Sequence, residues 1–475
     1  MLTRIEIDGF KTFHKLELDI APFQVIIGTN GVGKSNFFDA IKLLSLLVEV
    51  DITTAFQSFC GEADELFTLL PSGERKNMIA FAVEVLVGPS VKSSWDNTKE
   101  LQLDSRRLRY ELTIELRKDQ NNVDRLYINH EALYSIEPSK DSWVNTYIPA
   151  ENINLFTQYA RESKPFISTQ KNNNNFMEII AHSDSDAKYN PHKQGILADN
   201  IEKTILSSID NSDFPHAFAV RKELCNWVSP QFNPEMLHYS SQISTKTSLN
   251  SAENHLLEVL ARITAETPIT MKDISRDMAN LVSSIRRISV EKDPIANRYV
   301  IYATMNDDRR FSSMLLSNST LRLLYLVTLK NDPKFQGLML LEEPENGVHP
   351  SIMQHLLKIL QDFSTGFHNP IHATFPLRQI IIITHSVSLI KYLIQSNKAY
   401  SSIFLAENAT YIEEILAEDY IDEDDEYVEG SLYLSAFPCT KFHALNVRDK
   451  KSINRIIKYL EYGNASSTID LLKSF

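Results

Sequence analysis

The stretch "VIIGTNGVGKSNFFDAI", Val25 to Ile41, decides how the rest of this chain is read. A short apolar run leads into a glycine-rich turn, and the turn opens an amphipathic helix pattern with Phe37, Phe38 and Ile41 at helical spacing. Gly28, Gly33, Lys34 and Ser35 fit G-x-x-x-x-G-K-[ST]. Glycines let a backbone wrap closely around a polyphosphate with its amide N–H groups pointing inward. The helix start adds a positive dipole end. Lys34 is then a point charge for β- and γ-phosphates, and Ser35 an oxygen for Mg²⁺. Asn30, Gly31 and Asn36 lie on the same loop and join the candidate ATP-binding set.

At 475 residues, the chain can bury a sizeable core in two or three lobes. It is 43% hydrophobic and 23% charged, an ordinary globular balance. No apolar stretch reaches the roughly 20 residues of a bilayer span, and "MLTRIEIDGF" alternates like a strand rather than a signal peptide. Cys60, Cys225 and Cys439 are scattered, with no disulfide or zinc spacing, so a cytoplasmic location is expected. The net charge of −13 is uneven: ten acids and no base fall in Glu413–Glu429, and the remainder carries only −3. That segment reads as a solvated loop or as a docking strip for a basic partner. The pairs Arg106/Arg107, Arg286/Arg287 and Arg309/Arg310 read as solvated surface, or as meeting points for nucleic-acid phosphates.

Strand patterns fill residues 1–27, and "MIAFAVEVL", "RLRYELTIEL" and "RLYINHEALYSI" predict an antiparallel lobe over about 78–136. Polar stretches and amphipathic helix patterns then predict a helical lobe up to residue 285. From "RISVEK" onward, strands alternate with helices, which predicts a largely parallel, buried sheet built from both ends of the chain. The expected division is 1–140, phosphate loop and antiparallel lobe, the first half of the core; 141–285, inserted helical lobe; 286–410, second half of the core; and 411–475, acidic loop and extension.

Three further stretches carry chemistry. "GLMLLEEPENGVHP" delivers Glu342 and Glu343 at the end of a buried strand, the first placed for the Mg²⁺ shell and the second to orient and deprotonate water. "IIIITHSVSLI" ends another buried run at Thr384 and His385, within reach of a γ-phosphate or the attacking water. "LLSNSTLRLLYL" opens a second phosphate-facing helix at Ser317. One γ-phosphate needs one cradle, so this second one points to a two-fold dimer in which each Ser317 closes on the other subunit's nucleotide.

The order of phosphate loop, signature serine, paired carboxylates and histidine resembles the ABC-type ATPase heads of the RecF/SMC class. Within it, "IEIDGFKTF", "LSNSTLRLL" and "LLEEPENGVHP" resemble the stand-alone ATPases related to the overcoming-lysogenization-defect (OLD) proteins. The resemblance implies an α/β fold: a mixed sheet with a phosphate-loop core, an antiparallel β lobe and an inserted helical lobe. It implies an ATP-gated homodimer, or a higher even-numbered oligomer, with Lys34 and Ser35 on nucleotide and Mg²⁺, Glu343 as base and His385 as γ-phosphate sensor. It places Lys11 near the nucleotide and makes Gln57 the stand-in for the glutamine of the Mg²⁺ shell. Ser319 stands where such signatures carry glycine, which implies slow turnover, and Glu342 where most ABC proteins carry aspartate. OLD nucleases add a metal-dependent nuclease module. Glu429, Gly430, Asp422 and Asp424 do not fall in its order, so a nuclease is expected from a partner. The leading expectation is a sensor ATPase controlling an effector, nuclease or toxin, in anti-phage defence, with possible DNA contact and no membrane. The alternative is a DNA-repair or chromosome-maintenance ATPase acting directly on DNA.

Overall fold

The computed structural model describes residues 1–92, 100–119, 122–160, 165–171, 177–183, 193–197, 202–209, 213–230, 256–293, 298–395, 403–416 and 432–445, with Ser452, Asn454, Arg455, Ile456 and Tyr459. Its N-terminal half supplies β1 (Leu2–Asp8), β2 (Leu16–Asp19), β3 (Phe23–Ile27), α1 (Lys34–Leu47), α2 (Ile52–Gln57), β4 (Met78–Leu86), β5 (Ser90–Lys92), β6 (Glu100–Gln102), β7 (Arg107–Lys118) and β8 (Asp124–Ser135). Then come α3 (Ser142–Tyr147), α4 (Ile153–Phe156), β9 (Pro165–Lys171), β10 (Met177–His182), β11 (Lys193–Leu197), α5 (Ile205–Ser208), α6 (Pro215–Cys225), α7 (Leu256–Glu266) and α8 (Pro268–Leu281). The remainder holds β12 (Ile285–Asp293), β13 (Arg298–Met305), β14 (Arg310–Ser312), α9 (Asn318–Asn331), β15 (Gly337–Glu342), α10 (Met353–Phe363), β16 (Arg378–Ile383), α11 (Val387–Gln395), β17 (Ile403–Leu416) and β18 (Leu432–Leu445).

The central sheet has the order β15-β16-β3-β17-β18, with β15, β16, β3 and β17 parallel and β18 antiparallel at the edge. It joins β3 from the start of the chain to strands more than 300 residues later, as the apolar runs lead one to expect. Every residue of β3 is buried, as are the first five of β15. Period-two alternation divides them between two cores. Ile26, Leu338, Leu340, Ile381 and Ile383 pack in the core that holds Phe37, Ile41 and Leu44 of α1. Val25, Ile27, Met339, Leu341, Ile380 and Ile382 pack in the one that holds Leu324 of α9, Leu357 of α10 and Leu393 of α11. A strand with two apolar faces has no other stable place in a globular chain.

Beside it lies an antiparallel sheet of eight strands, β11-β10-β9-β8-β7-β4-β1-β2. Gln379, fully buried on β16, stitches the two sheets: its Nε2 donates to Leu2 O at 2.6 Å and Ala21 O at 3.0 Å, and its Oε1 accepts from Leu2 N at 2.8 Å. The fold class is therefore the expected one, a mixed α/β fold with a phosphate-loop core sheet and an antiparallel lobe.

Three readings are corrected. The polar stretches "TQKNNNNFMEII" (169–180) and "SDSDAKYNPHKQG" (183–195), expected as loop material in a helical lobe, overlap β9, β10 and β11 of the antiparallel sheet. The helices expected further on are present as α6, α7 and α8, with α7 and α8 packed on the small sheet β12-β13-β14. Arg106 and Arg107 are buried and face protein groups. Arg107 donates to both carboxylate oxygens of Asp141, at 2.6 and 3.0 Å, and Arg106 donates to Val87 O and Leu155 O. The acidic segment begins within β17, paired from Glu413 to Leu416 with Leu432–Ser435 of β18. Its other members, with Asp422, Asp424, Glu429 and Gly430, lie outside the described residues.

Candidate active site

The register of the parallel strands builds the site. Glu342 pairs with Ile383, and Ile383 with Ile26, so β15, β16 and β3 end level with one another. The phosphate loop, the paired carboxylates and His385 thus converge at the carboxyl edge, where open α/β sheets bind ligands. They line one pocket of about 430 Å³ together with Asn30, Gly31, Gly33, Ser35, Asn36, Ile383, Arg322 and Asn346.

Gly33 precedes α1 with φ +90°, and a Cβ there would stand 2.2 Å from Thr440 Oγ1 and 2.7 Å from Thr12 Oγ1. Only glycine combines this left-handed backbone with such close approach. Thr440, on β18, donates its hydroxyl to Val32 O at 2.8 Å and shares a hydrogen bond with Thr12 Oγ1 at 2.8 Å, and Asn36 Nδ2 donates to Thr12 Oγ1 at 3.0 Å. The last strand therefore braces the loop from behind. At Gly28 a Cβ would stand 2.6 Å from Ala406 O, which brings β17 equally close.

Lys34 is buried, and its Nζ donates to Gly28 O at 2.9 Å and Thr29 O at 2.6 Å. Burial lowers its pKa to about 8, against the pull of Glu343 and Glu342. Glu342 is exposed, and Glu343 has a left-handed backbone with φ +44°. Glu343 N donates to Ile383 O at 2.8 Å, and Asn346 N to Glu343 O at 3.0 Å. His385 Nε2 lies 3.9 Å from Glu343 Oε1. Burial, and then the charge of Lys34, lower the His385 pKa below its ordinary 6.5, which favours the neutral ring. Thr384 Oγ1 donates to buried Glu345 and accepts from Ser386 N at 3.0 Å, just ahead of α11.

Other expected residues lie apart from this pocket. Ser317 is exposed at the start of α9, where its Oγ accepts from Thr320 N at 3.2 Å beside exposed Met314 and Leu315. Lys11 pairs with Asp39 at 2.6 Å and lies over the rings of Phe10 and Phe59. Gln57 is the exposed last residue of α2. Ser319, in the signature, faces Gly347, where an added Cβ would be 3.0 Å from its Oγ.

Two participants escaped the sequence reading. Arg322 carried a usable signal, lying five residues after Ser317 on the same helix pattern. Thr440 carried none, since only the tertiary fold brings β18 to the loop.

Among the described residues, no group of three or more His, Cys, Asp or Glu side chains could hold a metal ion alone. Ser35 and Glu342 line the same pocket, one hydroxyl and one carboxylate, a donor set that suits a Mg²⁺ arriving with nucleotide phosphates and keeping several waters.

The fold and pocket define an AAA-type ATPase domain. Over residues 23–391 the chain matches the AAA_21 family model, described as "AAA domain, putative AbiEii toxin, Type IV TA system", and it belongs to that family. No curated protein matches it. Among solved structures it is similar to an SMC head bound to the C-winged helix domain of ScpA, at 11% identity and TM-score 0.44, covering 86% of this chain and 94% of that one. It is also similar to an SMC head from Pyrococcus furiosus with an extended coiled coil, bound to the C-terminal domain of ScpA, at 11% identity and TM-score 0.42, covering 96% and 99%. The SMC head domain from Thermotoga maritima gives 12% identity and TM-score 0.33, covering 86% and 94%.

Proposed function

We propose that this chain is a slow, Mg²⁺-dependent ATPase that works as a nucleotide-gated homodimer and controls an effector protein in anti-phage defence. The observation that carries the ATPase reading is the convergence of Lys34, Glu342, Glu343 and His385 in one pocket at the level ends of β3, β15 and β16.

In this reading the loop amides and Lys34 bind the phosphates. Ser35 and Glu342 would hold a Mg²⁺, which would supply neutralising charge to the phosphates. Glu343 takes the proton of the attacking water, and neutral His385 orients the γ-phosphate or that water. Ser317, exposed and outside its own pocket, is free to close on the nucleotide of a second copy. The toxin–antitoxin wording of the family description supports a role beside an effector. The working division keeps 1–140 and 286–410 as the two halves of the head, with β9, β10 and β11 of 141–285 joining the antiparallel sheet and β18 of 411–475 closing the edge of the central one. Among the described residues no helix is long and apolar enough to cross a membrane, and a cytoplasmic location stays part of the proposal.

The test is MgATP binding by calorimetry, with phosphate release, for the parent, Lys34→Ala and Glu343→Gln. Lys34→Ala should lose affinity. Glu343→Gln should bind ATP and slow by about 10²–10⁴-fold, accumulating as a dimer that Ser317→Arg prevents from engaging. Unchanged affinity in the first variant, or parental turnover in the second, would remove the reading.

A further inference from the structure

Arg322 lies on α9, the helix that opens at Ser317, yet it reaches across to the end of β15. Its Nη2 donates to Glu342 O at 3.0 Å and to Glu343 O at 2.8 Å. One nitrogen thus gathers the carbonyls of both residues of the carboxylate pair. Glu343 itself has φ +44°, a conformation that side chains with a Cβ adopt at an energetic cost and keep only where the surroundings impose it. Glu343 N is held by Ile383 O, its carbonyl is met by Asn346 N, and Arg322 adds a side-chain hydrogen bond to that carbonyl.

The far end of α9 is tied to the same sheet. Arg378, the first residue of β16, donates from Nη1 to Lys330 O at 2.8 Å, from Nη2 to Asp332 O at 2.7 Å and from Nε to Phe335 O at 3.1 Å. One guanidinium therefore fixes the start of α9 to the end of β15, and another fixes its end to the start of β16. A movement of α9 relative to the sheet cannot leave the Glu343 peptide undisturbed.

We propose that Arg322 is a positioning residue that holds Glu343 in its left-handed conformation, with the carboxylate in the pocket, and couples that geometry to α9. The inference rests on the ATPase reading above. It makes α9 the mechanical link between whatever engages Ser317 and the water-activating carboxylate. Arg322 lines the pocket as well, so a direct hold on the nucleotide phosphates is the competing role, and the two differ in their kinetics. A positioning role lowers kcat and leaves ground-state binding alone; a phosphate contact raises Kd and KM.

The experiment compares the full-length parent, Glu343→Gln, Arg322→Ala and Arg322→Lys. It measures steady-state MgATP hydrolysis, calorimetric binding of MgATP and thermal melting for each. Arg322→Ala should lower kcat by about 10–100-fold, leave Kd for MgATP within about 3-fold of the parent, and recover part of its rate with millimolar guanidinium. Arg322→Lys should be only partly active, since an ammonium lacks the planar fork. Parental kcat in Arg322→Ala overturns the proposal, as does a rise in Kd that accounts for the whole defect. Loss of melting temperature in both variants without guanidinium rescue also overturns it, because the arginine would then serve stability alone. The parent and Glu343→Gln report separately on the ATPase reading: an inactive parent, or an unaffected Glu343→Gln, removes that reading whatever Arg322 does.

Discussion

His385 Nε2 and Glu343 Oε1 stand 3.9 Å apart at the ends of neighbouring parallel strands. The separation is too long for a direct hydrogen bond, and both groups face one pocket. Two charges act on the imidazole in opposite senses: Lys34 lowers its pKa and Glu343 raises it, while burial, the largest cause, lowers it. Observed by NMR, His385 should therefore titrate below 6.5 in the parent. Lys34→Ala should move the midpoint up and Glu343→Gln should move it further down. A midpoint insensitive to both substitutions would mean that the three groups do not share one site in solution.

Gly33→Ala should destabilise the protein for two separable reasons. The left-handed backbone alone costs about 1–2 kcal/mol for a residue with a Cβ, and the new methyl would overlap Thr440 Oγ1. Removing that oxygen with Thr440→Ala should make the double variant less destabilised than the sum of the two single ones. Urea unfolding of the four proteins measures this coupling. Strict additivity would show that β18 does not brace the phosphate loop.

What could be read in advance follows from how local each signal is. The phosphate loop, "GLMLLEE" and "QIIIITH" are apolar runs ending in chemistry, and a strand with two apolar faces must be central. Their convergence was legible for that reason. β9 and β10 were not, because "PFISTQK" and "MEIIAH" lack a sustained apolar alternation, although Phe166, Ile167, Ile179 and Ala181 reach the core once the strands pair with β8 and each other. Arg106 and Arg107 look like surface from sequence, since nothing local reveals Asp141 waiting 34 positions on. Arg322 and Thr440 depend on α9 and β18 crossing to other elements, a property of the fold and not of any window of residues.

Arg107 should prove to be a stability residue. Its guanidinium is fully buried, bidentate on buried Asp141, and donates to Thr3 Oγ1 at 2.6 Å and Glu84 Oε2 at 3.3 Å. Arg107→Ala leaves Asp141 buried without its charged partner, with Val144 N and Tyr159 Oη still donating to it, a change that typically costs about 3–5 kcal/mol. Denaturant unfolding should show a loss of this size, with DNA affinity unaltered in protein that remains folded. A loss under about 1 kcal/mol, or a specific loss of DNA binding, would return Arg107 to the surface role that its sequence suggests.

Glu131 gives the fold a built-in pH dependence. Fully buried on β8, it accepts from Ile205 N at 2.7 Å and Leu206 N at 2.9 Å at the start of α5, and from Tyr110 Oη at 3.0 Å. Burial outweighs these hydrogen bonds and raises its pKa from 4.5 to about 7. The sign follows from proton counting. Between these two values the folded protein retains a proton that the unfolded chain has released, so folding binds a proton. The contribution of Glu131 to stability is therefore largest below the unfolded value, and it declines as pH rises until the folded group has ionised near pH 7. The slope can reach about 1.4 kcal/mol per pH unit, the limit for one proton. Glu131→Gln cannot titrate and should lack this component, whatever its absolute stability. The measurement is the difference in unfolding free energy between parent and Glu131→Gln at several pH values from 5 to 8. That difference should move against the parent as pH rises to about 7 and then level off. A flat difference, or one moving the other way, would show that the carboxyl is already ionised in the folded protein at pH 5, with its three donors outweighing burial.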